Sequence, residues 1–278
     1  MITERIDLYD YFNMPRKNVT GGYLEVYVRT PSKEINRKSR PAILIFPGGG
    51  YEFLSDREGE PVALAFLSKG YSAFVLNYSL NTSYPIPLNE AFMAVAYIRE
   101  NAERYCVNPD KIAAIGFSAG GHLAGLLATA TAEEVKSVPI CPTVLPNAVI
   151  LSYPVVTMGE YTHEGSRRVI SDRAKISYEM LSVEKRVTKD SIPAFIWHTV
   201  EDNCVPLENS LMLAEAYRRA GVPFSMIVFE KGWHGMSLCN EETDNRDECD
   251  LKNSFIGKWF ELAIDWLSSR NFSMITLK

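Results

Sequence analysis

Short apolar runs alternate with stretches of helical periodicity along most of this sequence. Residues 41–46 form a continuous apolar run, which is typical of a strand that is buried on both faces of a sheet. A helical pattern over 61–69 follows, and residues 71–78 form the next apolar run. Because strands that alternate with helices pair in parallel, the pattern predicts an α/β fold with a mostly parallel central sheet flanked by helices.

The same alternation continues towards the C-terminus and predicts one domain over 1–278. Further strands are predicted at 23–28, 111–116, 147–153, 192–199 and 223–229. Further helices are predicted from an N-cap at Asn89, at 119–130 and at 207–220. A last helix places four apolar side chains on one stripe. These are Phe255, Trp259, Leu262 and Trp266.

Residues 155–190 interrupt this rhythm, because they are polar, highly charged and helical in pattern between two predicted strands. We interpret them as a small insertion, or cap, over the carboxyl edge of the sheet, where ligands bind in open α/β folds. The alternative is an ordinary long crossover helix.

Composition excludes several classes of protein. The net charge is −5, and no Lys/Arg cluster is long enough to predict nucleic-acid binding. No apolar run approaches the ~18 residues that span a membrane, and the N-terminus lacks the pattern of a signal peptide. The five cysteines are widely spaced without a C-x-x-C pair, which predicts reduced thiols, a cytoplasmic location and no metal site.

The segment GFSAG at 116–120 has the pattern G-x-S-x-G. It follows a predicted strand and opens a predicted helix, which is the setting in which this pattern presents a nucleophilic serine. A sharp turn lifts the Ser118 hydroxyl out of the sheet, and glycines remove side chains where backbone segments approach closely. The alternative is a Gly/Ser-rich turn without chemistry. The pattern and its setting favour Ser118 as a nucleophile.

A serine nucleophile needs a positioned base, and the chain contains four histidines. His234 lies in a glycine-flanked loop after the last predicted strand, which is the expected place of the base in the order Ser, Asp, His. His122 lies one helical turn after Ser118, so we expect it to pack or hydrogen-bond along that helix. His198 ends a predicted strand and is interpreted as structural. For His163 we expect a surface position, with a substrate contact as the alternative.

The acid that orients the base is expected in the loop after the strand that ends near Thr199. Asp202 and Glu201 are the candidates, and we favour Asp202 because it falls at the edge of the sheet. Its task would be to hold His234 in the correct tautomer and to stabilise the imidazolium. The alternative is that either carboxylate caps the helix that Pro206 is expected to open.

Attack on an acyl carbonyl creates an oxyanion that requires preorganised donors. The backbone N–H of Ala119 is one candidate, since it follows the nucleophile. Gly49 and Gly50 are the others, because the glycine-rich loop 47–51 follows an early parallel strand. Which glycine donates stays open, and a plain turn is the alternative interpretation of this loop.

Seven segments together resemble the α/β-hydrolase superfamily, and within it the bacterial acetyl esterases and acetylxylan esterases of the hormone-sensitive-lipase-like group. They are PGGGY at 47–51, LNYSL at 76–80, NPDKI at 108–112, GFSAGGHLA at 116–124, SYPV at 152–155, HTVED at 198–202 and GWHG at 232–235. Residues 159–166 are similar to the insertion of the acetylxylan-esterase-like members.

This resemblance covers most of the chain and implies a Ser118–Asp202–His234 triad without a metal or cofactor. It implies a serine carboxylic-ester hydrolase that removes short acyl groups, such as acetyl, through an acyl-serine intermediate. Its substrates would be small acyl esters, in particular acetylated xylo-oligosaccharides or similar sugars. The sequence leaves the oligomeric state open, and a homo-oligomer is compatible with it.

Three aromatic residues are candidates for lining a sugar-binding pocket, because aromatic faces suit sugar rings. They are Tyr51, Trp233 and Tyr161, and for each the alternative is core packing. Two other functions compete with ester hydrolysis. One is amide hydrolysis, as in an arylformamidase or a peptidase of the same fold. The other is a binding protein on a hydrolase scaffold.

Overall fold

The computed structural model describes residues 1–32, 34, 39–140, 143–244 and 255–272. Its strands are β1 (Ile2–Asp7), β2 (Tyr23–Val28), β3 (Arg40–Phe46), β4 (Ser72–Asn77), β5 (Val107–Phe117), β6 (Ala148–Ser152), β7 (Ala194–Thr199) and β8 (Phe224–Phe229). Within these residues they form one sheet in the order β1-β2-β4-β3-β5-β6-β7-β8. The pairs β1·β2 and β2·β4 are antiparallel and the other neighbours are parallel. The sheet is therefore mostly parallel, as the sequence predicted.

Helices cover both faces of this sheet. They are α1 (Leu8–Tyr11), α2 (Glu60–Ser68), α3 (Ile86–Glu100), α4 (Ala119–Ala128), α5 (Ala132–Ser137), α6 (Glu164–Ile170), α7 (Tyr178–Leu181), α8 (Val183–Arg186), α9 (Glu208–Ala220) and α10 (Lys258–Ser269). Apolar residues of α3, α4 and α9 belong to the core on one face, and those of α2 and α10 to the core on the other. No helix in the described ranges is both long and apolar enough to cross a membrane.

The strand β3 shows why the sheet is buried on both sides. Leu44 and Phe46 belong to the core on the α3/α4 face, whereas Ile43 and Ile45 belong to the core on the α2/α10 face. All four side chains are fully buried. Because successive strand residues point to opposite faces, only a continuous apolar run fills both cores at once.

The structure corrects several element boundaries. The strand β1 was not predicted from the sequence, and β5 begins four residues before the predicted strand at 111. Helix α3 begins at Ile86, so Asn89 is not an N-cap; it lies in the first turn, where its N–H donates to the Pro85 carbonyl (2.9 Å). Pro85 at the N-cap and Pro87 at the second helical position are tolerated, because N–H groups that precede Asn89 have no acceptor within the helix. Helix α9 begins at Glu208, after Pro206.

The predicted apolar stripe of the last helix is correct only in part. Trp259 and Trp266 are buried against the core on the α2/α10 face. Leu262 is 41% exposed, and Phe255 is 62% exposed and precedes the helix. Ala263 is fully buried and occupies the buried face instead. The stripe therefore follows the 3.6-residue period from Trp259 through Ala263 to Trp266.

Residues 155–190 contain three short α-helices, α6, α7 and α8, with a 3₁₀ turn at Asp172–Ala174, and no single long crossover helix. They pack through main-chain contacts with distant parts of the chain. The Leu181 carbonyl hydrogen-bonds His122 of α4 (2.8 Å), and the Ile170 carbonyl accepts from the N–H of Tyr84 (3.1 Å). These bonds tie the segment to α4 and to the loop before α3, and its interpretation as an insertion or cap remains a prediction.

Three of the five cysteines lie in the described residues, and no disulfide joins them to one another. They are Cys106, Cys204 and Cys239. Cys141 and Cys249 lie outside the described residues. Within the described part of the chain, no group of three or more His, Cys, Asp or Glu residues is arranged to hold a metal ion.

Candidate active site

Ser118 occupies the turn between β5 and α4, in a backbone conformation that few side chains adopt. Its φ is +53° and its ψ is −118°. The flanking glycines permit this turn. A Cβ at Gly116 would lie 2.1 Å from the Gly120 carbonyl oxygen, and a Cβ at Gly120 would lie 2.1 Å from the Phe46 carbonyl oxygen. Such contacts are impossible, so both positions require glycine for the turn to pack against β3.

Main-chain hydrogen bonds hold the serine on both sides. Its N–H donates to the Ser152 carbonyl (3.1 Å), and its carbonyl accepts from the N–H groups of His122 (3.1 Å) and Val155 (3.0 Å). The residue is 7% exposed. The hydroxyl is therefore fixed beside the N-terminus of α4, where the helix dipole favours negative charge.

The structure brings Ser118, His234 and Asp202 together from three separate loops. His234 Nε2 lies 2.7 Å from Ser118 Oγ, and His234 Nδ1 lies 2.7 Å from Asp202 Oδ2. An ionised carboxylate only accepts, so Nδ1 carries the proton and Nε2 is left to accept from the serine hydroxyl. This is the tautomer that a base acting on Ser118 requires.

Asp202 is surrounded by four donors. Its Oδ1 accepts from the N–H groups of Cys204 (3.0 Å) and Val205 (2.8 Å), and its Oδ2 faces His234 (2.7 Å) and His198 Nε2 (3.4 Å). Burial alone would raise the pKa of this carboxyl. The hydrogen bonds from His198 and His234 outweigh that effect and hold the pKa of Asp202 well below its usual range. The carboxyl is therefore ionised.

His198 braces the loop that carries Asp202. The residue is fully buried. Its Nδ1 lies 2.7 Å from Ser210 Oγ, and its Nε2 lies 2.9 Å from the Val205 carbonyl. Since a carbonyl only accepts, Nε2 carries the proton and Nδ1 accepts from the serine hydroxyl. A structural position is what the sequence predicted for this histidine.

His122 does not reach the serine hydroxyl, because its ring is tied to other partners. Its Nδ1 lies 2.8 Å from the Tyr51 hydroxyl and its Nε2 lies 2.8 Å from the Leu181 carbonyl. Burial lowers the pKa of His122 to about 4 and keeps the ring neutral. The same contact corrects the expectation for Tyr51. That side chain is fully buried and does not line an open pocket.

Glu201, the alternative acid, faces solvent rather than the base. One of its carboxylate oxygens accepts from Lys231 Nζ (2.9 Å) and the other from the N–H of Gly232 (3.2 Å). Its side chain is 48% exposed. Of the two acidic neighbours, only Asp202 hydrogen-bonds His234 in the structure.

The carbonyls of Gly48 and Gly49 in the glycine loop both face the 52–55 turn. The Gly48 carbonyl accepts from the N–H of Ser55 (3.1 Å), and the Gly49 carbonyl accepts from the N–H of Glu52 (3.0 Å). In a trans peptide the next N–H points opposite to the carbonyl. The N–H groups of Gly49 and Gly50 therefore point away from the 52–55 turn. Both residues have positive φ, +119° and +65°, which glycine adopts freely.

This loop lies directly against the nucleophile. A Cβ at Gly48 would lie 3.0 Å from Ser118 Cβ and 2.8 Å from the Phe117 carbonyl oxygen. Ala119 begins α4, so its N–H has no acceptor within the helix. The candidate oxyanion donors Gly49, Gly50 and Ala119 thus belong to two backbone segments that meet at Ser118.

Glu58 was not identified from the sequence, although it is a buried carboxylate beside these residues. It is 2% exposed. Its Oε2 accepts from the N–H of Gly48 (2.8 Å), and its Oε1 accepts from the Tyr153 hydroxyl (2.7 Å). Its only sequence signal is an acidic residue ten positions after Gly48, in a stretch that also contains the charged residues Asp56, Arg57 and Glu60. Nothing in that local pattern distinguishes a buried carboxylate from an exposed one.

His163 lies near the glycine loop rather than on a remote surface. It precedes α6, and its Nδ1 accepts from the N–H of Ser166 (3.2 Å). Its Cε1 lies 3.6 Å from the position of a Cβ at Gly50. Burial, with the nearby His234 ring as a smaller cause, lowers the pKa of His163. A substrate contact by this histidine remains a prediction.

The other two aromatic candidates occupy different places. Trp233 is partly buried and packs against the core on the α2/α10 face. Tyr161 is 38% exposed, and its carbonyl accepts from Asn209 Nδ2 (2.7 Å). The side chain of Tyr161 is therefore available at the surface, and the contribution of both residues to substrate binding remains a prediction.

Known proteins resemble this chain over most of its length. The model of the BD-FAE family matches residues 24–217. An acetylxylan esterase of Xylanibacter ruminicola is 32% identical over 208 residues, which are 71% of this chain and 41% of that protein. The chain thus spans about two fifths of the length of this curated relative.

Two solved structures match nearly the whole chain. The acetyl ester-xyloside bifunctional hydrolase of Caldicellulosiruptor lactoaceticus has a TM-score of 0.80 and 32% identity, with 97% of both chains covered. MGS-M1, an alpha/beta hydrolase enzyme from a Medee basin deep-sea metagenome library, has a TM-score of 0.77 and 37% identity, again with 97% of both chains covered. Together with the parallel sheet and the turn at Ser118, these matches confirm the predicted fold class. The chain has the α/β-hydrolase fold and belongs to the BD-FAE family.

Proposed function

We propose that this protein is a serine carboxylic-ester hydrolase that works through an acyl-serine intermediate. The observation that carries the proposal is the hydrogen-bonded series Ser118–His234–Asp202, with 2.7 Å at each step. A serine hydroxyl is a weak nucleophile until an adjacent base removes its proton. In this series the base is in the required tautomer, and a buried, ionised carboxylate stabilises the imidazolium that forms.

In the first half of the reaction, Ser118 Oγ attacks the acyl carbonyl while His234 Nε2 takes the hydroxyl proton. The tetrahedral intermediate collapses, the bond to the alcohol oxygen breaks, and His234 returns the proton to the departing alcohol. In the second half, water attacks the acyl-Ser118 ester with His234 again as the base. The free acid leaves and Ser118 regains its proton.

The oxyanion of both tetrahedral intermediates needs donors that are already in position. We assign the Ala119 N–H as one donor and the N–H of Gly49 or Gly50 as the second. The carbonyls of the glycine loop are bound by the 52–55 turn, so the Gly49 and Gly50 N–H groups point away from that turn. The loop packs against Ser118. Donors fixed in this way require no reorganisation when charge develops on the substrate.

As substrates we propose short acyl esters, in particular acetyl groups on xylo-oligosaccharides or similar sugars. Two relatives support this assignment by what they are called, an acetylxylan esterase and an acetyl ester-xyloside hydrolase. The two similarities cover 71% and 97% of the length of this chain. The acyl group, the sugar and the serine mechanism are proposals for this protein.

Replacement of the nucleophile tests the mechanism. Ser118→Ala removes the attacking oxygen, so turnover of 4-nitrophenyl acetate should fall by about 10⁶-fold. The activity that remains would come from substrate binding and oxyanion stabilisation. A fluorophosphonate probe should label the wild-type protein and leave this variant unlabelled. Ser137→Ala, at an exposed site in α5, is the matched control and should keep wild-type turnover. Full activity of Ser118→Ala would refute the mechanism.

A panel of substrates separates the competing functions. Acetylated xylo-oligosaccharides should be turned over with a higher kcat/KM than simple aryl acetates if the sugar is recognised. Faster hydrolysis of N-formylkynurenine would assign the protein to amide hydrolysis instead. A folded wild-type protein that neither hydrolyses these compounds nor reacts with the fluorophosphonate would be a binding protein on a hydrolase scaffold.

A further inference from the structure

We infer that Glu58 is a positioning residue that joins the oxyanion loop to the loop of the catalytic base. The inference rests on the proposed function and extends it to a residue that the chemistry does not touch. Glu58 is a buried carboxylate with two donors, one on each oxygen. Because a buried charge is retained only where donors compensate it, two strong hydrogen bonds are expected at this place.

The first bond fixes the start of the glycine loop. Glu58 Oε2 accepts from the N–H of Gly48 at 2.8 Å. The carbonyl of the same residue is bound by Ser55, and the Pro47 carbonyl accepts from the Tyr78 hydroxyl (2.7 Å). The peptide groups that precede the Gly49 and Gly50 N–H donors are therefore held at several points. Glu58 supplies the bond to the Gly48 N–H.

The second bond runs to the loop that carries His234. Glu58 Oε1 accepts from the Tyr153 hydroxyl (2.7 Å), and the same hydroxyl oxygen accepts from the N–H of Ser237 (2.9 Å). The Tyr153 ring contacts the His234 imidazole edge-on, with ring centroids 5.1 Å apart. One carboxylate thus fixes Tyr153, which in turn contacts both the base and the turn three residues after it.

The two ends of this connection act on the same transition state. The glycine loop places donors for the oxyanion, and the histidine loop places the base for the serine proton. Displacement of such groups by about 1 Å lowers the reaction rate, whereas binding of the ground-state substrate does not depend on these groups. Loss of the connection should therefore lower kcat and leave KM nearly unchanged.

Glu58→Gln breaks the connection with little change in volume. Both neighbours donate, and a carboxylate accepts on two oxygens whereas an amide accepts on one. We expect kcat for 4-nitrophenyl acetate to fall by about 10- to 100-fold, with KM within about threefold of wild type. This fall in kcat is smaller than the largest losses caused by removal of an oxyanion donor. The rate of labelling by the fluorophosphonate should fall by a similar factor.

Tyr153→Phe is the second variant. It keeps the ring against His234 and removes the hydroxyl that joins Glu58 to Ser237. We expect a smaller fall in kcat, and the double variant should be no more than about twofold slower than Glu58→Gln, because both changes break one connection. Glu60→Gln, an exposed neighbour at the start of α2, is the control and should keep wild-type kcat.

The outcomes distinguish this inference from the proposed function. A wild-type protein without esterase activity or labelling overturns both. An active wild type with unchanged kcat in Glu58→Gln overturns the positioning role alone, even if the melting temperature falls. A rise in KM without a change in kcat also overturns it. If Glu58→Gln lacks a cooperative unfolding transition, Tyr153→Phe decides, since wild-type kcat in that variant would contradict the connection.

Discussion

At the scale of single residues, the surroundings of Asp202 specify a carboxylate. Two main-chain N–H groups occupy one oxygen and two histidines face the other. An amide of the same shape offers one acceptor and places an NH₂ where the second oxygen stood. Because both oxygens of the Asp202 carboxylate accept hydrogen bonds, the residue keeps the proton of His234 on Nδ1.

We expect Asp202→Asn to lower kcat by roughly 10³- to 10⁴-fold. The Asn oxygen keeps the bonds from Cys204 and Val205, so its NH₂ faces His234. The imidazole must then carry its proton on Nε2 and can no longer accept from Ser118. Steady-state kinetics with 4-nitrophenyl acetate measures the loss, and KM should change little.

The adjacent carboxylate provides the matched control for this experiment. Glu201→Gln removes a charge next to Asp202 in sequence, from a side chain that is 48% exposed and paired with Lys231. Such surface pairs contribute little. We expect kcat within about threefold of wild type. Equal losses in the two variants would contradict the assignment of Asp202 as the orienting acid.

At the scale of secondary-structure elements, the site depends on how closely α4 approaches the end of β3. A Cβ at Gly120 would lie 2.1 Å from the Phe46 carbonyl oxygen and 2.5 Å from that of Pro47. Both atoms are backbone, and both belong to the segment that leads into the glycine loop. A side chain at this position is accommodated only if the helix or that loop moves.

Gly120→Ala should therefore destabilise the protein by about 3 kcal/mol, as expected when atoms are forced into a packed interior. Activity should fall as well, because the relief of the clash displaces the glycine loop from Ser118. Urea unfolding gives the free energy, and 4-nitrophenyl acetate gives the rate.

Substitution of Gly221, at the end of α9, distinguishes the effect of a steric clash from the effect of backbone strain alone. Its φ is +71°, and no heavy atom lies within 4 Å of the position of an added Cβ. Gly221→Ala should cost about 1 kcal/mol of left-handed strain and leave kcat unchanged. If both alanine variants lost the same stability and activity, close packing would not be the reason for Gly120.

At the scale of the whole molecule, a buried carboxyl links the N-terminal segment to the sheet and α3. Glu90 is fully buried and accepts from the Ser79 N–H (2.6 Å), the Ser79 hydroxyl (2.5 Å) and the Tyr9 hydroxyl (3.1 Å). Ser79 Oγ in turn accepts from the N–H groups of Thr20 (3.1 Å) and Gly21 (2.9 Å). The stability of this junction depends on the charge of one group.

Burial raises the pKa of Glu90 to about 7 from an ordinary value of 4.5, although hydrogen bonds from Ser79 and Tyr9 oppose the shift. Between these two values the folded protein binds more protons than the unfolded chain. The free energy of unfolding contributed by this group should be highest below pH 4.5 and should fall as pH rises through 7. The full effect is about 3 kcal/mol at most.

Urea unfolding of the wild type and Glu90→Gln at pH 5.5 and 8 tests this dependence, because the variant has no carboxyl to titrate and should have the flatter profile. The depressed pKa of Asp202 acts in the opposite direction, but only at a more acidic pH, so it does not interfere in this window. Glu100→Gln, exposed at the end of α3, should keep the wild-type profile. Parallel profiles for the wild type and Glu90→Gln would show that Glu90 is ionised at both pH values.

Local patterns determined much of this protein. The continuous apolar run of β3 predicted a doubly covered parallel sheet, because a two-residue period and full burial are properties of neighbouring residues. The pattern G-x-S-x-G predicted the turn at Ser118. Chain order indicated His234, and the position at the sheet edge favoured Asp202 over Glu201. The structure brings all three within hydrogen-bond distance. Their catalytic roles remain predictions.

Tertiary structure decided what depends on residues far apart in the chain. Glu58 meets Tyr153 across 95 positions, and Tyr51 meets His122 across 71. No periodicity or turn pattern encodes such pairs, because they depend on the order of the strands and on which loops meet at the sheet's edge. For that reason the sequence alone left Tyr51 open between a pocket position and core packing, and it did not reveal Glu58.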